Sequence, residues 1–174
     1  MAKQVQRRSL IGLVAVFMLI VWPSYQIFSL VKDRDLPSNA SRMLFEVSSF
    51  QMDMLHGAIT RAKHAKSVNE WNEIKMMAFA SAFAHERLAN VFSEDDLNDL
   101  PSLKRIVDYV TAVQINGERP LKEEERHAME AVQQLVANMQ TVYAGLVNEE
   151  GRVLSSKWSE LTTLDEKISA LLHR

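Results

Sequence analysis

The stretch Ser67–Phe92, SVNEWNEIKMMAFASAFAHERLANVF, decides the fold. It opens on Ser67-Val-Asn-Glu70, a capping box: the serine oxygen can accept from the Glu70 amide while the Glu70 carboxylate reaches back to the serine amide. Behind the box, Trp71, Ile74, Ala78, Ser81, His85, Leu88 and Phe92 recur at spacings of three and four, the period of a helix with one buried face. Met76, Phe79 and Phe83 add a second apolar flank, and Ala78, Ala80, Ala82 and Ala84 keep the helix slim. An apolar arc this wide predicts a central helix that touches two or more neighbours.

The same periodicity continues on both sides. Upstream, a helix is expected from about Ser41 to His64, its stripe formed by Met43, Val47, Phe50, Met54 and Ala58, with Leu44, Leu55 and Ala62 beside it and Asn39 or Ser41 as cap. Downstream, the acidic connection from Ser93 to Asp99 leads to a helix from about Leu100 to Ile115, carrying Leu103, Ile106, Val107, Val110 and Val113. Asn116-Gly117 is its stop signal, since glycine accepts a left-handed cap. The next helix is expected to start at Pro120, with Glu123, Glu124 and Glu125 in the first turn where the helix dipole favours negative charge. Its stripe is Met129, Val132, Leu135 or Val136, Met139, Tyr143 and Leu146. Near Gly151 the chain either breaks before a last helix from Val153 to His173 or runs straight through. The cost of a glycine inside a helix, about 1 kcal/mol, favours the break. The fold class expected is all-α: an N-terminal transmembrane helix followed by an antiparallel four- or five-helix bundle.

The N-terminus reads differently. Lys3, Arg7 and Arg8 form a basic tail over residues 1–8, and residues 9–31 carry no charge and are mostly apolar. As a helix that run is ~34 Å long, enough to cross a bilayer core of about 30 Å once. Trp22 and Tyr25 suit a membrane interface, and Pro23 kinks or ends the regular part. No small-x-small cleavage site follows the apolar core directly, which favours an uncleaved anchor over a cleaved signal peptide. Basic residues flank both ends, and a short tail before a first apolar segment stays inside. The organisation expected is therefore 1–8 cytoplasmic tail, 9–31 transmembrane anchor and 32–174 extracytoplasmic bundle, in the bacterial inner membrane with the bulk in the periplasm.

Composition excludes several chemistries. The 174 residues include no cysteine, which removes disulfides, thiolate metal sites and cysteine nucleophiles. The net charge of −2 leaves no basic nucleic-acid footprint, so no nucleic-acid partner is expected. There is no Gly-rich phosphate loop, no G-x-S-x-G and no H-E-x-x-H. A di-metal bundle needs two Glu-x-x-His motifs and further glutamates, a set this chain does not supply. Asp95, Asp96 and Asp99 lack the spaced loop and terminal glutamate of a calcium site. The methionines read as gap fillers between helices. No metal, no cofactor and no enzymatic activity are expected.

His85 is the titratable residue of most interest, because it stands on the apolar stripe with Ser81 one turn earlier. One reading is a neutral core histidine bonded to a neighbouring helix; the other is a ligand-binding or pH-sensing group formed by His85 and Ser81 in the bundle interior.

In its anchor, its capped helix Ser67–Phe92 and its long final segment Glu123–Leu172, the chain resembles the periplasmic helical-bundle sensory regions of bacterial chemoreceptors, sensor kinases and diguanylate cyclases. The resemblance implies a bundle that receives a signal outside the cytoplasm. In those receptors the last helix enters a second span and an output module, whereas this chain ends at Leu171-Leu-His-Arg174. A sensor-like bundle of this kind is expected to act through a membrane-protein partner, as a regulatory or accessory subunit, with or without a small ligand, or else to be the front part of a longer receptor. The alternative expectation is a structural component of an envelope machine such as a secretion, pilus or lysis apparatus. It would act as a homo-oligomer through the coiled-coil-like spacing of Leu161, Leu164, Ile168 and Leu171.

Overall fold

A computed structural model describes residues 36–92, 96–115 and 117–173, and among these described residues five α-helices form. They are α1 (Leu36–Arg61), α2 (Asn72–Ala89), α3 (Pro101–Gln114), α4 (Glu123–Tyr143) and α5 (Ser155–Leu171). The expected tail and anchor, residues 1–31, lie outside the described residues. Among the described residues no helix is long and apolar enough to cross a membrane, and no strand forms beyond two isolated bridges.

Residues 38–174 form one compact unit, and its polar cross-links fix the helix directions. Arg61 pairs with Glu73, and the Ser81 hydroxyl donates to the Gln51 carbonyl at 2.9 Å, so α1 and α2 run antiparallel. Lys75 donates to Gln114 at 2.7 Å and Lys104 pairs with Glu86 at 3.8 Å, which sets α3 antiparallel to α2. Ser48 meets Tyr143 and Thr60 meets Gln133, which sets α4 antiparallel to α1. α5 returns along α4 and packs on α3. Helix α2 is flanked by α1 and α3, with α4 and α5 across the core.

Local chemistry starts and stops these elements. Ser67 and Glu70 form the expected capping box, and Glu70 accepts the amides of Lys66 and Ser67, both at 3.1 Å. The first turn behind it, Val68–Trp71, is a tighter 3-10 turn, and α2 proper begins at Asn72. Gly117 takes φ +79° and Gly151 φ +77°, the left-handed region that glycine reaches without steric cost. The break near Gly151 is real: Leu154 donates back to Leu146 at 2.8 Å, Val147 bridges Val153, and α5 starts afresh.

Three sequence expectations are corrected. First, α1 was expected to bury Met43, Val47 and Phe50, but these are exposed. The buried line is Ser48, Met52, Leu55 and Ile59, because Ser48 binds Tyr143 and the two polar positions Ser41 and Ser48 complete the inward face. Second, the flank Met76, Phe79 and Phe83 of α2 points outward, since α1 and α3 already occupy both sides of the helix. Third, Pro120 does not start α4. It pairs with Ser67 in a short bridge between two loops, and the helix starts at Glu123 behind Lys122; Pro101, by contrast, does stand at the start of α3.

The core runs the length of the unit. Trp71, Ile74, Leu88, Leu103, Ile106, Met139 and Tyr143 are fully buried within it. The stripe of α5 is part of this core: Leu161, Leu164 and Ile168 are buried against the other helices. The coiled-coil-like spacing read from the sequence is spent inside the bundle.

Candidate functional site

Two features hold the residues with chemical character. One is a polar node inside the bundle, the other an apolar face outside it.

The node centres on His85, which is 1% exposed. Its Nε2 lies 2.8 Å from the Asn98 carbonyl and its Nδ1 2.8 Å from the Tyr143 hydroxyl. A carbonyl only accepts, so Nε2 carries the proton. In the neutral ring Nδ1 then accepts from the Tyr143 O–H, and the Tyr143 oxygen in turn accepts from the Ser48 hydroxyl at 2.6 Å. The relay Ser48, Tyr143, His85, Asn98 runs in one direction and ties α1, α4, α2 and the loop before α3. Trp158 of α5 stacks on the His85 ring at 6.2 Å between centroids, and Phe45 stacks on Tyr143 at 6.0 Å. Burial lowers the His85 pKa, against a smaller opposing pull from its bond to Asn98 and from Asp99, and burial also raises that of Tyr143. Both groups are neutral in the folded bundle near pH 7.

Ser81, expected beside His85, is buried but bonds elsewhere, to the Gln51 carbonyl of α1. The structure thus joins His85 to Tyr143, Ser48 and Trp158, three residues that sequence reading missed as partners. Tyr143 was legible as a core position, but its hydroxyl faces a residue 58 positions away and Ser48 lies 95 positions from Tyr143. No local signal carries such pairings. Among the described residues no group of three or more histidines and carboxylates is placed to hold a metal ion. His127 sits exposed between Glu123 and Glu130.

The second feature is built from the outward residues of α1 and α2. Met43, Val47 and Phe50 on α1 and Met76, Phe79 and Phe83 on α2 are between 51% and 67% exposed. Both helices turn their buried residues, such as Met52 and Leu55 or Ile74 and His85, to the same side. At 3.6 residues per turn the remaining apolar residues emerge away from the core, as one exposed row on each helix. Phe79 and Phe83 also line a groove of about 360 Å³ between α2 and α3, with Lys104, Val107 and Asp108 on the far wall. The Arg87 guanidinium lies 4.8 Å over the Phe83 ring.

Comparison with protein-family models, with curated proteins and with solved structures finds no match to this chain.

Proposed function

We propose that the chain is a membrane-anchored, non-enzymatic regulatory or accessory subunit whose extracytoplasmic helical bundle works by protein contact, with a membrane protein as its partner. One observation carries the reading. Six large apolar side chains stand more than half exposed on one face of α1 and α2, while the opposite face of the same helices is filled with core. Large apolar side chains exposed in such number, with Phe79 and Phe83 lining one groove, support an interaction site. The uncharged run at residues 9–31 supports placing the bundle beside a bilayer.

The polar node fits this reading as a structural element: each group in it has a partner, so His85 and Ser81 serve to hold helices in register. A small-ligand role for them would require the node to open. The test is a mild crosslink in intact cells followed by detergent extraction, capture and mass spectrometry. A single abundant membrane protein at near-constant ratio to the chain is the expected result. Recovery of the chain free in the soluble fraction, with no adduct, would overturn it.

The second reading, a structural component that self-associates, loses the α5 stripe as its vehicle. It keeps the exposed apolar rows of α1 and α2 as a surface.

A further inference from the structure

We propose that the bundle holds a small carboxylate, the head of a short aliphatic acid, in a cavity between the end of α1 and the first half of α4. The proposal goes beyond the protein contact above and does not depend on it.

Three elements build the cavity. Helix α1 closes on the tight turn Ala62–His64, which carries Lys63, and the turn Val68–Trp71 behind the capping box carries Trp71. Helix α4 contributes Arg126, Met129, Glu130 and Gln133, spaced three and four apart and therefore on one face. The volume is about 40 Å³. A water molecule takes about 30 Å³ of liquid, so the space admits a group somewhat larger than one water. Lys63 and Glu130 are exposed, which places them at the mouth.

The donors on the wall lack partners. Trp71 is 1% exposed, and its indole N–H is buried without a hydrogen-bond partner. Buried donors are nearly always paired, and an indole N–H only donates, so the group it calls for is an acceptor. Lys63 and half-buried Arg126 enter no ion pair among the described residues. The acid on the wall, Glu130, faces His127 at 3.6 Å, and Gln133 is spent on Thr60 at 3.3 Å. Two cations against one carboxylate make the acceptor an anion.

Ile59 and Met129 complete the wall and select the kind of anion. A phosphate carries oxygens on every side and would leave some of them unpaired against these apolar side chains. A carboxylate is polar at one end only. Its oxygens can take the Trp71 N–H and the fork of the Arg126 guanidinium, whose geometry matches a carboxylate, with Lys63 as the second charge at the mouth. The aliphatic stem then lies against Ile59 and Met129.

The chain has three tryptophans, so indole N–H resonances report the site directly. Full-length chain labelled with nitrogen-15 at tryptophan is held in detergent micelles at pH 7, and the Trp71 signal is assigned by elimination in Trp22→Phe and Trp158→Phe. Sodium acetate, phosphate and chloride are titrated at equal ionic strength. The expected result is a saturating downfield shift of the Trp71 signal in acetate alone. Arg126→Gln should raise the half-saturating acetate about tenfold, the worth of a hydrogen bond to a charged group. Lys63→Gln should raise it about threefold, as suits an exposed charge. Arg126→Lys should recover only part of the loss, since it keeps the charge without the fork. Melting temperatures equal to that of the native chain show that these variants keep the fold. Saturation by phosphate and not by acetate overturns the carboxylate. A shift that is equal in chloride is screening and overturns the site. An indole proton that exchanges magnetisation with bound water and ignores every anion makes the space a hydration cavity and overturns it too. Half-saturation unchanged in both Arg126→Gln and Lys63→Gln overturns the assignment of these residues.

Discussion

A buried histidine with two short hydrogen bonds can stabilise only in the protonation state its partners accept. Neutral His85 donates to the Asn98 carbonyl and accepts from Tyr143. Protonation would force Nδ1 to donate and would place a charge in a site that burial disfavours. The folded pKa is depressed below the ordinary value near 6.5. The unfolded chain therefore binds a proton that the folded chain refuses as pH falls. Stability is full above about pH 6.5 and declines below it. Urea melts at stepped pH are expected to show this loss in the native chain. In His85→Gln, whose amide can donate to Asn98 and accept from Tyr143, the decline should move down to the carboxylate range. There Glu125, held below its ordinary value by its hydrogen bond to Arg119, begins to protonate. A native curve flat from pH 7 to 5 would show that His85 does not couple in this way. Tyr143→Phe keeps the ring but removes the hydroxyl between Ser48 and His85, leaving both buried groups short of a partner. The expected cost is about 1–3 kcal/mol, read by denaturant melts.

At the scale of the element, the ends of the helices carry the testable chemistry. Asp165 of α5 reaches across to accept the Ser102 amide at 2.9 Å, in the first turn of α3. It caps another helix from a distance of 63 positions. Burial raises its pKa, so its ionised form costs stability as pH rises through that value. Asp165→Ala is expected to lose about 1–2 kcal/mol, the worth of a cap. Asp165→Asn keeps an acceptor without the charge and should lose less than half as much; equal losses would mean that the cap is not the source. Gly117→Ala isolates backbone conformation, since a Cβ there meets nothing within 4 Å while φ is +79°. A loss of about 1–2 kcal/mol is expected from conformation alone. The same contrast between local and distant causes explains what the sequence could reveal. The capping box, the stop at Gly117 and the α2 line from Trp71 to Leu88 are local and were legible. Helix α1 carries two apolar lines of the same period, and the one that is buried includes Ser41 and Ser48, which a hydrophobic pattern discounts. His85 was legible as an inward titratable residue. Its partners Tyr143, Ser48 and Trp158 were not, because only tertiary packing brings four elements to one ring.

For the molecule as a whole, the bundle and its outer face place opposite demands on similar residues. A fully buried leucine such as Leu103 is held on all sides, and truncation to alanine costs about 2–5 kcal/mol through lost burial and the cavity left behind. Phe50 and Phe83 are large as well, but their rings stand mainly in solvent. As parts of a protein contact they are dispensable for the fold of the single chain, and their removal should weaken capture of the partner. Phe50→Ser combined with Phe83→Ser is therefore expected to shift the unfolding midpoint of the dissociated chain by well under the Leu103→Ala shift. The same pair should lower the yield of the membrane-protein adduct in crosslinked cells several-fold, whereas Leu103→Ala, at a temperature where it is folded, should keep it. If Phe50→Ser with Phe83→Ser destabilises the isolated chain as much as Leu103→Ala does, the outer face belongs to the fold and not to an interface.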